Sequence, residues 1–339
     1  MADYYRPLAQ AGTDVAAHVQ NRLAPFRLAG GARWFTEVER IDRSGAREII
    51  PASSIPPDVL SRLTSPREPI CGLAMEKPVT MGILNATPDS FSDGGKHTGI
   101  EMAAAEYMVK SGADIIDIGG ESTRPGADYV APDVEAERVL PIIEAMVSQR
   151  LGPISIDTRK AAVAKVAMNA GATFFNDVTA LTFDKDSMAV AANSKAAICL
   201  MHSAGTPKEM QLNPRYNNAL LDVYDFLHER IEACEAAGIS RHRIVVDPGI
   251  GFGKTIEHNL ALLRGISLFH GLGCPILLGV SRKGMIGKIA DEPSPERRLA
   301  GSLALALEGL NQGVQILRVH DIAETKQAIA LWSALNIED

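Results

Sequence analysis

Polar residues stand at the ends of a series of short apolar runs between positions 157 and 320. An aspartate offers hydrogen-bond acceptors and an asparagine a donor as well, which suits the ring nitrogens and amino group of a flat heterocycle. When strands and helices alternate along a chain, residues at the strand ends gather around one mouth, where a ligand can meet all of them. These residues are Asp157, Asn176, Asp177, His202, Asp247, Lys283, Arg318 and His320.

Three of these residues could bind an anion. Arg318 and His320 are separated by one residue, so the alternation of a strand places both side chains on one face. Lys283 follows the preceding apolar run, and the residues after it have a helical pattern. In (β/α)8 barrels the loops after strands seven and eight frequently form a phosphate site. The cluster therefore favours a phosphorylated substrate.

Two polar loops precede Asp157. The first covers residues 85 to 95 and has an aromatic residue at its middle, and the second contains two glycines followed by Arg124. Glycines let a backbone approach a ligand closely, and arginine can bind an anionic oxygen. Both loops are therefore expected to contact a ligand. Glu121 in the second loop is either a contact residue itself or a charge partner of Arg124 or Arg138.

The segment from Asp247 to Lys254 is rich in glycine but lacks the spacing of a phosphate-binding P-loop. It predicts backbone that a flat ring approaches closely, with Phe252 as a wall. His202 is expected to be an interior histidine rather than a ligand contact. The sequence has no Gly-x-Ser-x-Gly elbow and no His-Glu-x-x-His motif, so nucleophilic hydrolysis and zinc chemistry lack support.

The elements that must position these residues begin near Val79. Eight apolar, strand-like runs alternate with alanine-rich helical segments over about 250 residues, the usual size of a (β/α)8 barrel. Two of the helical segments stop at Gly112 and Gly171, placed as C-caps. An open parallel sheet is the alternative, but no Gly-x-Gly-x-x-Gly follows the first run. We expect a (β/α)8 TIM barrel over residues 76–339.

Residues 1–75 form an N-terminal extension that carries no recognisable chemical motif. A turn at Gly30-Gly31, a strand or hairpin from Arg33 to Ile50, and one short helix before Pro69 are predicted. We expect the extension to pack on or cap the barrel rather than to catalyse.

The composition describes an ordinary globular protein, with 46% apolar and 22% charged residues among 339. A formal net charge of -7 argues against a general affinity for nucleic acid or for an anionic membrane. The four cysteines lack CxxC or zinc-ligand spacing, and neither a signal peptide nor a membrane span of roughly 18 apolar residues is evident. A cytoplasmic location is therefore predicted.

Two motifs resemble the signatures of one family, the dihydropteroate synthases. Residues 81–95 read MGILNATPDSFSDGG and closely resemble the first signature, and residues 114–126 read DIIDIGGESTRPG and are similar to the second. Shorter matches follow in the family's order, and the resemblance covers about residues 79 to 335. The extension exceeds the short lead-in expected of the family, so its role is not transferred.

The resemblance implies a barrel that joins 6-hydroxymethyl-7,8-dihydropterin diphosphate to p-aminobenzoate, releasing diphosphate and forming dihydropteroate for folate synthesis. It implies a magnesium cofactor ligated partly by Asn85, and a homodimer. By position, the pterin would contact Asp157, Asn176, Met201, Asp247, Phe252 and Lys283. Diphosphate would contact Asn85, Thr123, Arg124, Arg318 and His320, and p-aminobenzoate would contact Pro88, Phe91, Pro125, Lys283 and Gly284. The catalytic residues would be Asn85, Arg124, Lys283, Arg318 and His320.

The resemblance also implies chemistry without a nucleophile. The arylamine attacks unaided, and catalysis consists of positioning and of electrostatic stabilisation while diphosphate departs. Residues 85 to 97 and 121 to 130 would act as a water-excluding lid.

One position departs from the family pattern. Gly284 stands where a serine is often found near the benzoate carboxylate, which leaves the backbone N–H and the helix dipole to bind that group. A pterin-dependent methyltransferase and a non-catalytic pterin-binding paralogue stay open as alternatives.

Overall fold

Eight parallel strands form the centre of the fold in a computed structural model, which describes residues 3–11, 25–86, 97–122, 127–205 and 214–336. The strands are β6 (Val79–Asn85), β7 (Ile115–Gly119), β8 (Ile154–Asp157), β9 (Phe174–Asp177), β10 (Ala197–Met201), β11 (Ile244–Asp247), β12 (Leu277–Leu278) and β13 (Ile316–Val319). The sheet runs in the order β11-β10-β9-β8-β7-β6-β13-β12. A parallel bridge from Val246 to Ile276 joins its two edge strands, so the sheet closes into the expected barrel.

Helices connect successive strands around the outside of the barrel. They are α2 (His97–Lys110), α3 (Pro132–Gln149), α4 (Ala161–Ala170), α5 (Ser187–Ala192), α6 (Ala219–Ala236), α7 (Ile256–Arg264), α8 (Gly284–Ile289), α9 (Leu299–Asn311) and α10 (Ile322–Asn336). Gly171 ends α4 with a φ of 120°, a conformation that favours glycine, as the sequence predicted. None of the described helices is long and apolar enough to cross a membrane.

The interior of the barrel is filled at the amino ends of the strands. Its apolar layer consists of Met81, Ile115, Phe174, Cys199, Val245, Leu277 and Ile316, and Ile70 and Met75 pack against it from the segment before β6. Because strand side chains alternate, the next inward positions lie two residues further along each strand. They include Asp117, Asn176, Asp247 and Arg318, which stand above this layer.

The extension forms a small unit of its own on the outside of the barrel. It contains β1 (Tyr4–Pro7), β2 (Phe26–Arg27), β3 (Trp34–Phe35), β4 (Glu37–Ile41), β5 (Arg47–Pro51) and α1 (Pro57–Thr64). β4 and β5 pair as an antiparallel hairpin, as predicted. The Tyr4 hydroxyl donates to Asp225 on α6 at 2.8 Å, and the Arg33 guanidinium lies 4.7 Å from the Trp332 ring on α10.

Candidate active site

A cavity of about 940 Å³ opens at the carboxyl ends of the barrel strands. The predicted site residues on its wall are Asn85, Asp157, Phe252, Lys283, Gly284, Arg318 and His320. Asn176, Met201 and Asp247 are buried at the ends of their strands, outside the set that forms the wall. Of the part of residues 1–75 that the structure describes, none contributes to the wall.

Arg318 bridges two buried carboxylates. Its Nε donates to Asp117 Oδ2 at 2.6 Å and its Nη2 to Asp157 Oδ2 at 2.7 Å. Asn176 Nδ2 donates to the same oxygen of Asp117 at 3.1 Å. Asn176 is therefore joined to Arg318 by way of Asp117, a residue that was not among the predicted site residues. The available signal was the alternation of β7, in which Asp117 follows the inward residue Ile115 by two positions.

This network alters the protonation of its members. Burial raises the pKa of Asp157 to about 7; Arg318 opposes the rise, and Asp117 adds to it. Burial disfavours the charge of Arg318, but the two carboxylates outweigh that effect and raise its pKa. The second oxygens of both aspartates are buried without a hydrogen-bond partner among the described residues. One guanidinium thus pairs with two carboxylates, and the Asp157 carboxyl group can hold a proton near neutral pH.

The loop after β11 is held to the end of β10 by Lys254. Its Nζ donates to the carbonyl oxygens of Gly249 at 2.9 Å, Phe252 at 3.0 Å and His202 at 3.2 Å, and lies 2.9 Å from His202 Nδ1. Carbonyls only accept, so this geometry favours the ammonium form, although burial lowers the pKa of Lys254 to about 7. Burial and the neighbouring lysine lower the pKa of His202 to about 3. His202 is therefore an interior residue, as expected.

The approach of the loop to β10 requires glycine at position 249. Gly249 has a φ of 69°, and a Cβ added there would lie 1.9 Å from the carbonyl oxygen of His202. Asp247 accepts a hydrogen bond from the Gly249 N–H at 2.7 Å, and burial raises the pKa of its carboxyl group.

Lys283 and Phe252 form a wall of the cavity together. The Lys283 ammonium lies 4.2 Å from the centre of the Phe252 ring, within the range of a cation–π interaction. A Cβ at Gly251 would meet the Lys283 side chain at 3.2 Å. Phe252 thus lines the cavity, and the Lys283 side chain lies close to the Gly251 backbone, while the approach of a flat ring to this segment stays a prediction.

His320 is oriented by Ser281 at the rim. The Ser281 hydroxyl lies 2.9 Å from His320 Nδ1, and it also accepts from the His320 backbone N–H at 3.2 Å. The neighbouring Arg282 is occupied by an ion pair with Asp321. The Ser281-Arg282-Lys283 segment and the end of β13 thus meet at one side of the cavity.

The prediction that Arg138 pairs with Glu121 was wrong. Glu121 forms ion pairs with Arg159 at 3.2 Å and Lys160 at 3.0 Å, while Arg138 donates to the carbonyl oxygen of Gly120 at 2.7 Å. The reason is topological, since the end of β8 lies beside the end of β7 and delivers both cations. Arg124, the other suggested partner, lies outside the described residues.

Other predicted residues also lie outside the described ranges. They are Pro88, Phe91, Thr123 and Pro125. Most of the two predicted lid segments falls there as well. Asp177, in contrast, is described: its carboxylate accepts from the backbone N–H groups of Thr179 and Leu181 at 2.7 and 3.1 Å. It therefore stabilises the turn after β9.

Comparisons with known proteins agree with this geometry. A family model described as pterin binding enzyme matches residues 81–320. The dihydropteroate synthase of Neisseria meningitidis serogroup B is 44% identical over 272 residues, covering 78% of this chain and 95% of that protein. The one from Escherichia coli K12 is 43% identical over 264 residues, covering 77% and 93% respectively.

Solved structures give the same result. Xanthomonas albilineans dihydropteroate synthase with 4-aminobenzoic acid superimposes with a TM-score of 0.76 at 42% identity, covering 81% of this chain and 100% of that one. The Burkholderia cenocepacia enzyme complexed with 7,8-dihydropteroate gives 0.71 at 41% identity, covering 77% and 92%. The chain belongs to the pterin-binding enzymes and, within them, to the family of dihydropteroate synthases.

Proposed function

We propose that this protein condenses 6-hydroxymethyl-7,8-dihydropterin diphosphate with p-aminobenzoate to give 7,8-dihydropteroate and diphosphate, a step of folate biosynthesis. It is a transferase, as are the dihydropteroate synthases to which it belongs. The observation that carries this function is the cavity in which the Asp117–Arg318–Asp157 network lies beside the Lys283–Phe252 wall. The network supplies hydrogen-bonding groups for a heterocycle, and the wall supplies a flat surface and a cation.

We assign the pterin ring to the inner end of this cavity. The hydrogen-bonding edge of the ring would meet Asp157, Asn176 and Asp247, and its face would lie against Phe252, with Met201 beneath. Lys283 would donate to the ring carbonyl. Burial raises the pKa of both Asp157 and Asp247. Asp157 Oδ1 is also buried without a hydrogen-bond partner among the described residues, so this carboxyl group would gain from a ligand that brings an N–H group.

We assign diphosphate to the side of the cavity formed by β6 and β13. Asn85, Arg318 and His320 lie on that wall, and Thr123 and Arg124 would join them from the second loop. Arginine carries five N–H donors, and the two carboxylate contacts of Arg318 use two of them. The guanidinium could therefore bind diphosphate without leaving the carboxylates.

We assign p-aminobenzoate to the outer wall near Lys283 and Gly284, with Pro88, Phe91 and Pro125 contributed by the loops. The family structure from Xanthomonas albilineans carries 4-aminobenzoic acid. Among the residues that the structure describes, none lies within 4 Å of the position that a Cβ on Gly284 would occupy.

The oxygen ligands at the proposed diphosphate site suit a magnesium ion that binds together with diphosphate. No group of three or more His, Cys, Asp or Glu residues suited to a metal occurs in the described ranges. Asn85 does lie on the cavity wall, and magnesium is commonly held by one or two protein oxygens together with phosphates and water. Bound there, the ion would neutralise charge on the departing diphosphate. Asn85→Ala should raise the magnesium concentration that half-maximal turnover requires.

The residues of the chain then act by position and charge. Lys283 and Phe252 fix the ring so that its methylene group faces the amine, and the buried carboxylates stabilise positive charge that develops on the pterin as diphosphate leaves. Arg318 and His320 stabilise the negative charge of the leaving group. The arylamine is neutral at pH 7 and needs no general base for attack.

An assay of diphosphate release with both substrates and magnesium tests the function. We expect release only when p-aminobenzoate is present. Pterin binding without release would indicate a non-catalytic paralogue, and methyl transfer that depends on a corrinoid would indicate a pterin-dependent methyltransferase.

A homodimer and a cytoplasmic location complete the proposal. All four cysteines are unpaired and three of them are buried, as befits a reduced compartment. Light scattering at micromolar concentration should give twice the mass of the 36.3 kDa chain, and a monomer mass would contradict the dimer. Cell fractionation would test the location.

A further inference from the structure

The loss of a side chain at position 284 leaves a gap in the outer wall of the cavity. Gly284 begins helix α8 and lies on the wall, and no atom of the described residues lies within 4 Å of the position that a Cβ would occupy. Lys288, on the same short helix, also lies on the wall and is exposed. The two residues are four positions apart and so lie on one face of the helix.

Helix geometry directs the Lys288 side chain toward the gap. Each Cα–Cβ bond tilts toward the amino end of its helix, so a side chain covers the turn that precedes it. The turn that precedes Lys288 begins at Gly284, and the two residues are separated by about 6 Å along the helix axis. The lysine stem is long enough to carry its ammonium group across this distance.

Arg282 and Arg298, two other cations of the cavity wall, already bind protein groups. Arg282 forms an ion pair with Asp321 at 2.5 Å. Arg298 donates to the backbone carbonyls of Glu292 at 3.0 Å and of Arg282 at 3.1 Å. Moving either guanidinium to a substrate would leave these groups without their donors.

Of the three lysines on the cavity wall, Lys283 and Lys288 differ in the groups that they contact. The ammonium group of Lys283 lies over the Phe252 ring, toward the proposed pterin site. For Lys288, the described parts of the chain offer no carboxylate within ion-pair distance. The nearby wall residue Glu296 instead accepts from the Ser294 hydroxyl at 2.7 Å. Lys288 is thus a cation on the same wall as Gly284 that is available to an incoming anion.

We propose that Lys288 binds the carboxylate of p-aminobenzoate and so replaces the side chain that position 284 lacks. The inference rests on the proposed function, because it names the group that recognises one substrate of that reaction. Lys288 acts on binding and specificity, since the carboxylate lies at the far end of the ring from the reacting amine.

Steady-state kinetics of Lys288→Gln test the proposal. With pterin diphosphate and magnesium saturating, we expect the KM for p-aminobenzoate to rise about tenfold, the usual worth of a hydrogen bond to a charged group. The value of kcat should change much less. With the uncharged substrate 4-aminobenzamide, wild type and variant should have the same KM within about twofold, as a lost charge contact requires.

Three further variants complete the design. Lys165→Gln removes another exposed lysine, on α4 and away from the cavity wall, and should behave as wild type. Lys288→Arg should keep a low KM for p-aminobenzoate. Gly284→Ser in the Lys288→Gln background should recover part of the lost affinity, because the gap beside Gly284 has room for a hydroxyl group.

Different results would refute the proposed function and the assignment of Lys288. Absence of turnover by the wild-type protein would refute the proposed function. Normal turnover with a KM for p-aminobenzoate that Lys288→Gln leaves unchanged would overturn the assignment of Lys288 alone. An equal rise in KM for p-aminobenzoate and 4-aminobenzamide would also overturn it, because it would indicate a change in shape rather than a lost charge contact.

Discussion

Asp117 contributes to the raised pKa of Asp157, and the variant Asp117→Asn tests this contribution. Both carboxylates bind the Arg318 guanidinium, at 2.6 and 2.7 Å. Burial raises the pKa of Asp157 to about 7, Arg318 opposes the rise, and Asp117 adds to it. Asparagine keeps the size of the side chain and a carbonyl oxygen for Arg318, but it removes the charge. We therefore expect the pKa of Asp157 to fall.

The size of the fall follows from the geometry. Carboxylate oxygens bound to neighbouring nitrogens of one guanidinium are roughly 5 Å apart, where two unit charges interact by about 3 kcal/mol at an effective dielectric constant of about 20. This energy corresponds to about 2 pKa units. Solvent at the mouth of the cavity screens part of the interaction, so we expect a decrease of about 1 to 2 units.

The same change affects stability with a definite sign. The pKa of Asp157 is raised above its unfolded value of about 3.9, so its contribution to stability is fully present below that value. The contribution is lost as the pH rises through the folded pKa of about 7. A lower folded pKa makes the loss smaller. Relative to wild type, the free energy of unfolding of Asp117→Asn should therefore be higher at pH 8 than at pH 5 by about 1 to 3 kcal/mol.

Urea unfolding of both proteins at pH 5 and pH 8 measures this difference, and groups common to both cancel. Asp291→Asn removes an exposed carboxylate and serves as the control, for which we expect no such difference. The pH dependence of pterin binding should shift to lower pH in Asp117→Asn. An equal stability difference at the two pH values, or an unshifted binding profile in the folded variant, would refute the reasoning.

Three further variants probe the site. Arg318→Ala should lower turnover and diphosphate affinity together, and it should lower the free energy of unfolding at pH 8 by about 3 to 5 kcal/mol because two buried carboxylates lose their cation; unchanged kinetics in a folded variant would contradict the assignment. Lys254→Met leaves three carbonyls without a donor, so urea unfolding should show a loss of about 2 to 4 kcal/mol, and the KM for pterin diphosphate should rise as Phe252 loses its position. Gly249→Ala forces a Cβ against the His202 carbonyl, and thermal unfolding should show a loss of about 3 kcal/mol or more.

The barrel and the positions of several site residues could be predicted because both depend on short-range periodicity. Asn176 follows Phe174 by two positions, and Arg318 follows Ile316 in the same way. Each apolar residue fills the barrel interior, so its polar successor must face the same interior one layer higher. This rule requires only the sequence of one strand and the knowledge that its carboxyl end forms the mouth.

Contacts between distant elements could not be predicted in this way. Lys254 and His202 are 52 positions apart, and their contact depends on the register of β10 and β11 and on the path of the loop that follows β11. The partners of Glu121 were missed for a similar reason, since they come from the neighbouring strand end. Asp117 satisfies the same two-residue rule, but it lies within an apolar run rather than at its end.

The charges of the Asp117–Arg318–Asp157 network are ordered by depth, and this order bears on the reaction. Asp117 is fully buried and Asp157 nearly so, whereas Arg318 is one-fifth exposed, at 21%. The reaction separates positive charge on the pterin from negative charge on diphosphate, so inner carboxylates and outer cations each stabilise one product of that separation. Because one arginine pairs with two carboxylates, the Asp117–Arg318–Asp157 network keeps a net negative charge once Asp157 is ionised.

This negative charge could affect the reaction in two ways, which predict different rates for Asp117→Asn at pH 8. If the total charge of the inner site stabilises the developing cation, the variant should turn over more slowly, because it has one carboxylate fewer. If only the ionised state of Asp157 matters, the variant should keep its rate at pH 8 and exceed wild type near pH 6, where wild-type Asp157 is largely protonated. We expect the first result, since the charge that Asp117 would lose is buried and weakly screened. A rate at pH 8 equal to that of wild type would show that Asp117 acts only through the pKa of Asp157.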